Sequence, residues 1–340
     1  MSSIGVLGAG TWGIALARML SKSGHGIVVW SAVEKEIDQL EAERKHPNLP
    51  GMIIPDEVQF TKKIDEVCAG KQILLFAVPS VYVRETARKA APYIPAGQII
   101  VDVAKGIEPE TLLTMTQVIQ DEIPRQVHLV ALSGPTHAEE VALDMPTTIV
   151  SACADLRIAE QVQTVFMNTC MRVYTNPDVA GVELCGAMKN VMALAAGISS
   201  GLGYGDNAKA AIITRGMAEI SRLGAAMGCR EQTFHGLAGM GDLIVTATST
   251  HSRNNRCGML IGKGVSPMEA VRQVGMVVEG INAIPAAVEL AQRYRVEMPI
   301  VAAVDAVVNH GADPREAVTA LMNRDKKMEL PESAPNDDRS

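Results

Sequence analysis

Short apolar runs recur along the first half of the chain, and stretches with helical spacing of apolar residues, such as 81–91 and 111–120, lie between several of them. Apolar runs bounded by turn residues are typical of buried strands. Their alternation with helices predicts an α/β fold with a doubly wound parallel sheet. The runs lie at 4–7, 27–30, 73–78, 99–103 and 127–132.

Beyond about Pro177 the pattern changes to long segments rich in Ala, Met, Leu and Gly at helical spacing, which continue to Met322. We therefore predict two domains, a sheet-based domain over 1–178 and a mostly α-helical domain over 179–325. Residues 326–340 are charged and rich in Pro, Ser and Asp, and are predicted to form a loose tail.

One lysine, Lys189, lies in the apolar, helix-favouring stretch 182–198 and is followed directly by Asn190. Burying a cation costs several kcal/mol unless a partner offsets the lost hydration. Two interpretations remain at this point. Either the side chain extends to the surface, as helical lysines often do, or it is buried for a chemical purpose.

Composition limits the partners of this protein. The 340 residues include 31 Lys plus Arg and 38 Asp plus Glu, and the net charge of −7 gives no overall attraction to nucleic acid or anionic membranes. Six scattered cysteines without CxxC spacing, and no clustered histidines, predict free thiols and no metal site. We see no 18-residue apolar run and no signal peptide, and expect a cytoplasmic protein.

A glycine motif, GxGxxG, follows the first apolar run at Gly8, Gly10 and Gly13 and is continued by a helical stretch. Its glycines permit a tight turn, close approach to a pyrophosphate and close packing of helix on strand. With strand, turn, helix and second strand in this order, the motif predicts a Rossmann-type dinucleotide-binding domain that binds NAD or NADP.

The end of the second run normally distinguishes the two cofactors. Asp or Glu there binds a ribose hydroxyl, whereas Arg nearby accepts a 2′-phosphate. This chain has Ser31 and Ala32 instead, with Glu34 and Lys35 one turn further on. Either of the last two residues could reach the ribose, so the choice between NAD and NADP stays open.

Further candidate residues follow the other runs. Pro79 and Lys105 come where parallel sheets bind ligands, at the carboxyl ends of strands, although Lys105 could equally be a solvated loop residue. Gly134 and Thr136 lie in a small-residue turn that could hold a ligand closely. His137 invites a role as general base, but a single loop histidine is more often structural.

A second glycine-rich segment, 236–243, contains Asp242 and leads through Thr246 to Ser252, Arg253 and Asn254. Arg beside Asn offers several N–H donors to a phosphate, although Arg253 could also be a surface ion-pair residue. The flanking residues His235 and His251 are interpreted as structural.

The chain resembles the bacterial-type NAD(P)-dependent sn-glycerol-3-phosphate dehydrogenases from its glycine motif to about Met322. Seven motifs carry the resemblance in the expected order, and the fifth is the most specific. They are GAGTWGIALA from 8, AVPS at 77–80, AKGIEPET from 104, SGPTHAEEVA from 133, KNVMALAAGISSGLGYGDNAKAAIITRG from 189, GLAGMGDLIVTATSTHSRNNRCG from 236 and VVEG from 277.

The resemblance implies interconversion of dihydroxyacetone phosphate and glycerol 3-phosphate for phospholipid synthesis. It implies that Lys189 is the proton donor and acceptor, with Lys105 and Asp242 near the reacting carbon. It also implies a homodimer. The implied substrate contacts are Lys105, Gly134, Thr136, Lys189, Asp242, Ser252, Arg253 and Asn254, to which we add Asn190 and Thr246. The implied cofactor contacts are Thr11, Trp12, Lys105, Ala138, Arg253, Val277 and Glu279, beside the motif glycines.

Two positions differ from the family pattern: Ala32 stands where Arg or His is usual, and His137 replaces an aromatic residue. We expect Asp242 and a substrate phosphate to keep Lys189 protonated near pH 7, despite the effect of burial on its pKa. Two alternatives remain: another β-hydroxyacid dehydrogenase of the same fold, or a regulator that binds the dinucleotide without turnover.

Overall fold

Eight strands form one sheet in this computed structural model, which describes residues 1–329. Its strands are β1 (Ser3–Leu7), β2 (Gly26–Trp30), β3 (Gln59–Thr61), β4 (Ile73–Phe76), β5 (Ile99–Asp102), β6 (His128–Ser133), β7 (Thr147–Ala152) and β8 (Met171–Asn176). Their order across the sheet is β3-β2-β1-β4-β5-β6-β7-β8. Neighbouring strands are parallel except β6 and β7, which are antiparallel.

Seven helices accompany the sheet along the chain. They are α1 (Thr11–Lys22), α2 (Glu34–Glu43), α3 (Ile64–Cys68), α4 (Val83–Ala90), α5 (Met115–Glu122), α6 (Ala138–Ala142) and α7 (Leu156–Met167). Apolar clusters lie on both faces of the sheet, one centred on Val6, Val29 and Leu75 and the other on Leu7, Leu74 and Phe76. Alternate residues of one strand therefore enter opposite clusters, as expected for a sheet covered on both faces.

The rest of the described chain is helical. It comprises α8 (Val179–Gly201), α9 (Asp206–Ala226), α10 (Glu231–His235), α11 (Asp242–Thr248), α12 (Arg253–Gly262), α13 (Pro267–Val274), α14 (Glu279–Arg293), α15 (Pro299–Asn309) and α16 (Pro314–Met322). A π-helical turn, Leu237–Gly241, leads directly into α11. The predicted fold class, a Rossmann-type doubly wound sheet followed by a mostly helical region, is confirmed.

Several local predictions needed correction. The helix predicted over 111–120 begins at Met115, because Thr114 forms a capping box with Gln117. Three strands were not predicted, namely β3, β7 and β8. β3 and β8 are the two edges of the sheet, and β8 alternates buried and exposed residues instead of forming an apolar run.

Helix α8 is the centre of the helical region, and every residue from Gly181 to Ser199 is buried. Asp178 caps it by accepting a hydrogen bond from the Gly181 N–H at 3.0 Å. By length and hydropathy α8 is the one helix within residues 1–329 that could cross a membrane. No such helix was predicted from the sequence. However, 89% of its most apolar window is buried inside the protein, as is usual for a core helix.

We propose that a domain boundary lies between residues 178 and 179. The last strand ends at Asn176 and α8 begins at Val179. A separate apolar cluster surrounds α8, including Leu184, Met188 and Leu223. The predicted tail, 326–340, lies largely outside the described residues.

Close packing of α12 on α8 fixes the position of the start of α12. A Cβ atom on Gly258 of α12 would lie 2.2 Å from the Leu194 carbonyl oxygen of α8, and one on Gly197 of α8 would lie 2.2 Å from the Asn255 carbonyl oxygen. Neither position has room for a side chain, since both clashes are with backbone. The two helices therefore pack with their backbones in near contact.

We expect Gly258→Ala to lower the free energy of unfolding by about 1–3 kcal/mol, because the added methyl group must push α12 away from α8. Denaturant unfolding measures the change. Gly26→Ala is the matched control, since its Cβ would meet nothing closer than the Ser2 carbonyl oxygen at 4.0 Å. Equal stability of the two variants would contradict this account of the packing.

Candidate active site

A cleft of about 390 Å³ opens at the carboxyl ends of β1, β4, β5 and β6 and is closed on its other side by the helical region. This is where open α/β sheets bind ligands. Most of the residues predicted for the site line this one cleft. They are Gly10, Thr11, Trp12, Pro79, Lys105, Thr136, Ala138, Lys189, Asn190, Thr246, Ser252, Arg253, Asn254, Val277 and Glu279.

The glycine turn has the geometry that a pyrophosphate requires. Gly8 has a φ of +122°, and a Cβ on Gly13 would lie 2.2 Å from the Gly8 carbonyl oxygen. A Cβ on Gly10, in contrast, would meet no protein atom within 4 Å, so the backbone is open to a ligand there. In the part of the chain that the structure describes, no side chain caps α1, and its first N–H groups face the cleft. The turn therefore fits a dinucleotide.

Two lysines share the carboxylate of Asp242. Lys189 Nζ, from α8, donates to Asp242 Oδ1 at 2.6 Å, and Lys105 Nζ, just after β5, donates to Oδ2 at 2.6 Å. Lys105 Nζ also donates to the carbonyl oxygen of Gly134 at 3.0 Å. Asp242 is 1% exposed, and the two lysines line the cleft whereas Asp242 does not.

Lys189 is buried, with only 6% of its surface exposed. The interpretation in which it extends to the surface is therefore wrong. Its Nζ donates a second hydrogen bond to Thr246 Oγ1 at 2.7 Å, while that hydroxyl donates to the Asp242 carbonyl oxygen at 2.6 Å. Asp242 and Thr246 lie one turn apart on α11, so a single helix supplies both partners of this ammonium group.

Burial lowers the pKa of Lys189 to about 7, and Lys105 adds to this effect, although Asp242 opposes it. We expected Asp242 and a substrate phosphate to oppose much of this shift. Asp242 does oppose it, but burial is the larger effect and the charge of Lys105 adds to it. Burial alone would raise the pKa of Asp242, but Lys105 and Lys189 together hold it below its usual range.

The start of α12 forms the far end of the cleft. Ser252 caps this helix by accepting from the Asn255 N–H at 3.2 Å, and Arg253 occupies its first position. Arg253 Nη1 donates to the Val277 carbonyl oxygen at 3.1 Å. A helix N-terminus beside a guanidinium group favours an anion, so this end of the cleft can hold a phosphate.

Asn190 and Asn254 connect α8 to the start of α12. Asn254 Nδ2 donates to Asn190 Oδ1 at 2.9 Å, and Asn190 Nδ2 donates to the Gly186 carbonyl oxygen at 3.1 Å. Asn254 Oδ1 accepts from the Gly280 N–H at 2.8 Å. Both amides are buried, and both residues line the cleft.

Glu279 joins the helical region to the cofactor side of the cleft. Its carboxylate accepts from the Ser80 N–H at 3.0 Å and from the Ser80 hydroxyl at 2.5 Å. Ser80 directly follows Pro79, and both come after β4. Glu279 thereby holds the turn after β4, which lies directly beside the glycine turn.

Four predicted residues support the cleft without lining it: Gly8, Gly13, Gly134 and Asp242. Other residues that were not predicted for the site also line the cleft, among them Glu36, His46, Asn48 and His251. His137 also lines the cleft, and burial followed by the charge of Lys189 lowers its pKa. No local pattern marks these residues, because they approach the site only through the tertiary fold.

A dinucleotide turn and a buried lysine suited to proton transfer line one cleft, which is the arrangement of an NAD(P)-dependent dehydrogenase. Comparison with known families agrees: residues 3–159 match the N-terminal model of NAD-dependent glycerol-3-phosphate dehydrogenase and residues 178–319 match its C-terminal model. The chain belongs to the NAD-dependent glycerol-3-phosphate dehydrogenase family, which confirms the resemblance found in the sequence.

Individual relatives are similar over nearly the whole chain. Glycerol-3-phosphate dehydrogenase [NAD(P)+] 2 of Lactobacillus delbrueckii subsp. bulgaricus is 69% identical, covering 97% of this chain and 99% of the relative. Its counterpart from Agathobacter rectalis is 51% identical, covering 97% and 98%. The crystal structure of the Coxiella burnetii glycerol-3-phosphate dehydrogenase has a TM-score of 0.91 at 35% identity, covering 95% and 99%.

We expect Asp242→Asn to lower the free energy of unfolding by about 3–5 kcal/mol at pH 6, because it leaves two lysines without their shared buried counter-ion. The loss should be smaller at pH 9, where Lys189 is already neutral. Asp144→Asn is the matched control, since Asp144 also lies between two cations, Arg18 and Lys22, but is 40% exposed. It should cost less than about 1 kcal/mol. Similar losses in both variants would contradict the assigned role of burial.

Proposed function

We propose that this protein interconverts dihydroxyacetone phosphate and sn-glycerol 3-phosphate by hydride transfer with NAD or NADP. The observation that carries the proposal is the pair of lysines on Asp242, which lies between a dinucleotide turn and a phosphate-binding helix start. Membership of the glycerol-3-phosphate dehydrogenase family supports the same substrate pair.

The cofactor side of the cleft is formed by the glycine turn. Gly10, Thr11 and Trp12 would hold the pyrophosphate on the N-terminus of α1. Ala138, Val277 and the pair of Glu279 with Ser80 would enclose the rest of the dinucleotide. The bound nicotinamide supplies the hydride for ketone reduction and accepts it in the reverse direction.

Lys189 would exchange a proton with the substrate oxygen at C2. A protonated Nζ stabilises the negative charge that develops on this oxygen and then donates its proton, whereas the neutral amine accepts a proton when the alcohol is oxidised. Asp242 and Thr246 orient Nζ, and Lys105 adds a second positive charge beside the reacting oxygen. A pKa near neutrality suits both directions.

The substrate phosphate would lie at the start of α12. Arg253 and the first N–H groups of this helix would bind it, with Asn190 and Asn254 toward the hydroxyl-bearing carbons. Binding energy from this remote group positions C2 for hydride transfer, and so contributes to the rate as well as to affinity.

The family resemblance also supports a cytoplasmic enzyme that provides glycerol 3-phosphate for phospholipid synthesis and acts as a homodimer. Fractionation and gel filtration test the location and the dimer, while the phospholipid content of cells depleted of this protein tests its contribution to synthesis.

The decisive experiment follows oxidation of NADH and of NADPH with dihydroxyacetone phosphate, using unphosphorylated dihydroxyacetone and β-hydroxyacids for comparison. Turnover with the phosphorylated ketone is expected. Turnover with the hydroxyacids alone would favour another dehydrogenase of this fold, and dinucleotide binding without any turnover would favour a regulator.

Two substitutions separate chemistry from substrate binding. Lys189→Met should lower kcat by about 100- to 10,000-fold with cofactor affinity retained, because it removes the proton donor but keeps the side-chain volume. Arg253→Ala should raise KM for the phosphorylated substrate by about tenfold or more. Steady-state kinetics and cofactor titration measure both effects. A Lys189→Met enzyme that retains wild-type kcat would overturn the mechanism.

The pH dependence follows from the lowered pKa of Lys189, about 7. Reduction needs its protonated form, so kcat/KM for dihydroxyacetone phosphate should fall as pH rises through about 7. Oxidation needs the neutral form, so kcat/KM for glycerol 3-phosphate should rise over the same range. Lys105→Gln removes a positive charge that lowers the pKa of Lys189, so it should move both midpoints to higher pH. If the midpoints instead reported titration of the substrate phosphate, this substitution would leave them unchanged. Midpoints unchanged in Lys105→Gln would refute the assignment to Lys189.

A further inference from the structure

The end of β2 carries no acidic residue, but the fold brings one to it. Ser31 directly follows β2 and is buried, and its hydroxyl donates to Glu36 Oε2 at 2.6 Å. Ser31 Oγ in turn accepts from the Val33 N–H at 3.2 Å, which fixes the hydroxyl. Glu36, in the first turn of α2, is thereby held against the strand end.

Glu36 lines the same cleft as Gly10 and Thr11 of the glycine turn. Within residues 1–329, Ser31 is the one side chain that donates to its carboxylate. From the sequence alone, either Glu34 or Lys35 could reach the ribose of the cofactor. However, Glu34 does not line the cleft, and its Oε2 lies 3.9 Å from Lys62 Nζ. Lys35 lines a neighbouring recess, which Glu36 also lines, but not the cleft.

Three of the basic residues that follow β2 and β3 are engaged or neutral. Arg44 Nη1 donates to the Val58 carbonyl oxygen at 2.7 Å, and its guanidinium lies over the Phe60 ring. Lys62 pairs with Asp38 at 2.6 Å. Burial lowers the pKa of His46, whose Nδ1 accepts from the Asn48 N–H, although Glu36 opposes this shift.

We propose that Glu36, held by Ser31, is the residue that determines cofactor specificity and makes this enzyme prefer NAD(H) to NADP(H). In the Rossmann fold a carboxylate at the end of the second strand accepts hydrogen bonds from the adenosine ribose hydroxyls. Glu36 supplies this carboxylate from the following helix. The inference deepens the proposed function, on whose reaction it rests.

The 2′-phosphate of NADP would bring about 1.5–2 further negative charges to a site that already holds a carboxylate. Ala32, exposed beside it, provides no guanidinium to bind that phosphate. Lys35 precedes Glu36 on the same helix turn, but it lines the neighbouring recess and not the cleft. Charge and hydrogen bonding therefore both favour the cofactor with a free ribose hydroxyl.

Direct binding tests this inference independently of turnover. NADH and NADPH are titrated against the full-length protein, with quenching of tryptophan fluorescence as the readout, since Trp12 lines the cleft. Wild type should bind NADH at least about tenfold more tightly than NADPH. Glu36→Gln, which keeps the size of the side chain, should weaken NADH binding and strengthen NADPH binding, so that the ratio falls several-fold.

Glu34→Gln is the matched control, because it removes the same charge from the same first turn but at a residue outside the cleft. It should leave the ratio unchanged. Equal or tighter binding of NADPH by wild type overturns the inference, as does an equal fall of the ratio in the two variants or an unchanged ratio in Glu36→Gln.

Activity with dihydroxyacetone phosphate separates this inference from the proposed function. If the protein prefers NADH in titration but reduces no phosphorylated ketone, the proposed function fails and the role of Glu36 in binding stands. If it reduces the ketone with NADH and NADPH equally well and binds them equally, the inference fails and the proposed function stands.

Discussion

The structure of the site depends on one buried carboxylate that serves two cations. Asp242 accepts from Lys105, which follows a strand, and from Lys189, which lies within the longest helix. Because the two lysines come from different halves of the chain, their common partner aligns the halves. Burial lowers the pKa of Lys189 to about 7, and the charge of Lys105 adds to this effect because a single carboxylate serves both lysines.

Two other carboxylates of the helical region form similar connections. Glu183 of α8 accepts from the hydroxyls of Thr114 and Thr116 at 2.8 and 2.6 Å, at the start of α5. Glu279 accepts from Ser80 beside the cleft. Together with Asp242, these residues make polar contacts between the sheet and the helices at three separate points. Such contacts are directional, so they define the relative position of the two halves more narrowly than apolar packing alone.

Two helix N-termini face the same cleft from different halves of the fold. α1 begins at the glycine turn, and α12 begins beside Arg253. The chain as a whole carries a net charge of −7, so affinity for anionic ligands has to arise locally, from these helix ends and from the lysines. The packing of α12 on α8 fixes the position of the second of these helix starts in the cleft.

The sequence by itself determined the parts that depend on local pattern. The spacing of Gly8, Gly10 and Gly13, the apolar runs of the central strands and a lysine in an apolar helix each have a local physical signature, and they predicted the fold class. Most of the predicted lining residues followed from the resemblance to the glycerol-3-phosphate dehydrogenases. The edge strands β3 and β8 escaped prediction because an edge strand has less surface to bury and shows no long apolar run.

Only the tertiary structure decided how charges act on one another. The exposure of Lys189 and the shift of its pKa depend on distances between residues that are remote in the chain. The approach of an acidic side chain to the end of β2 depends on the bend of the turn 31–36. Electrostatic energy varies with separation and with exclusion of water. Neither quantity is encoded in the local pattern of hydrophobic and polar residues, and both are set when the helical region closes over the sheet.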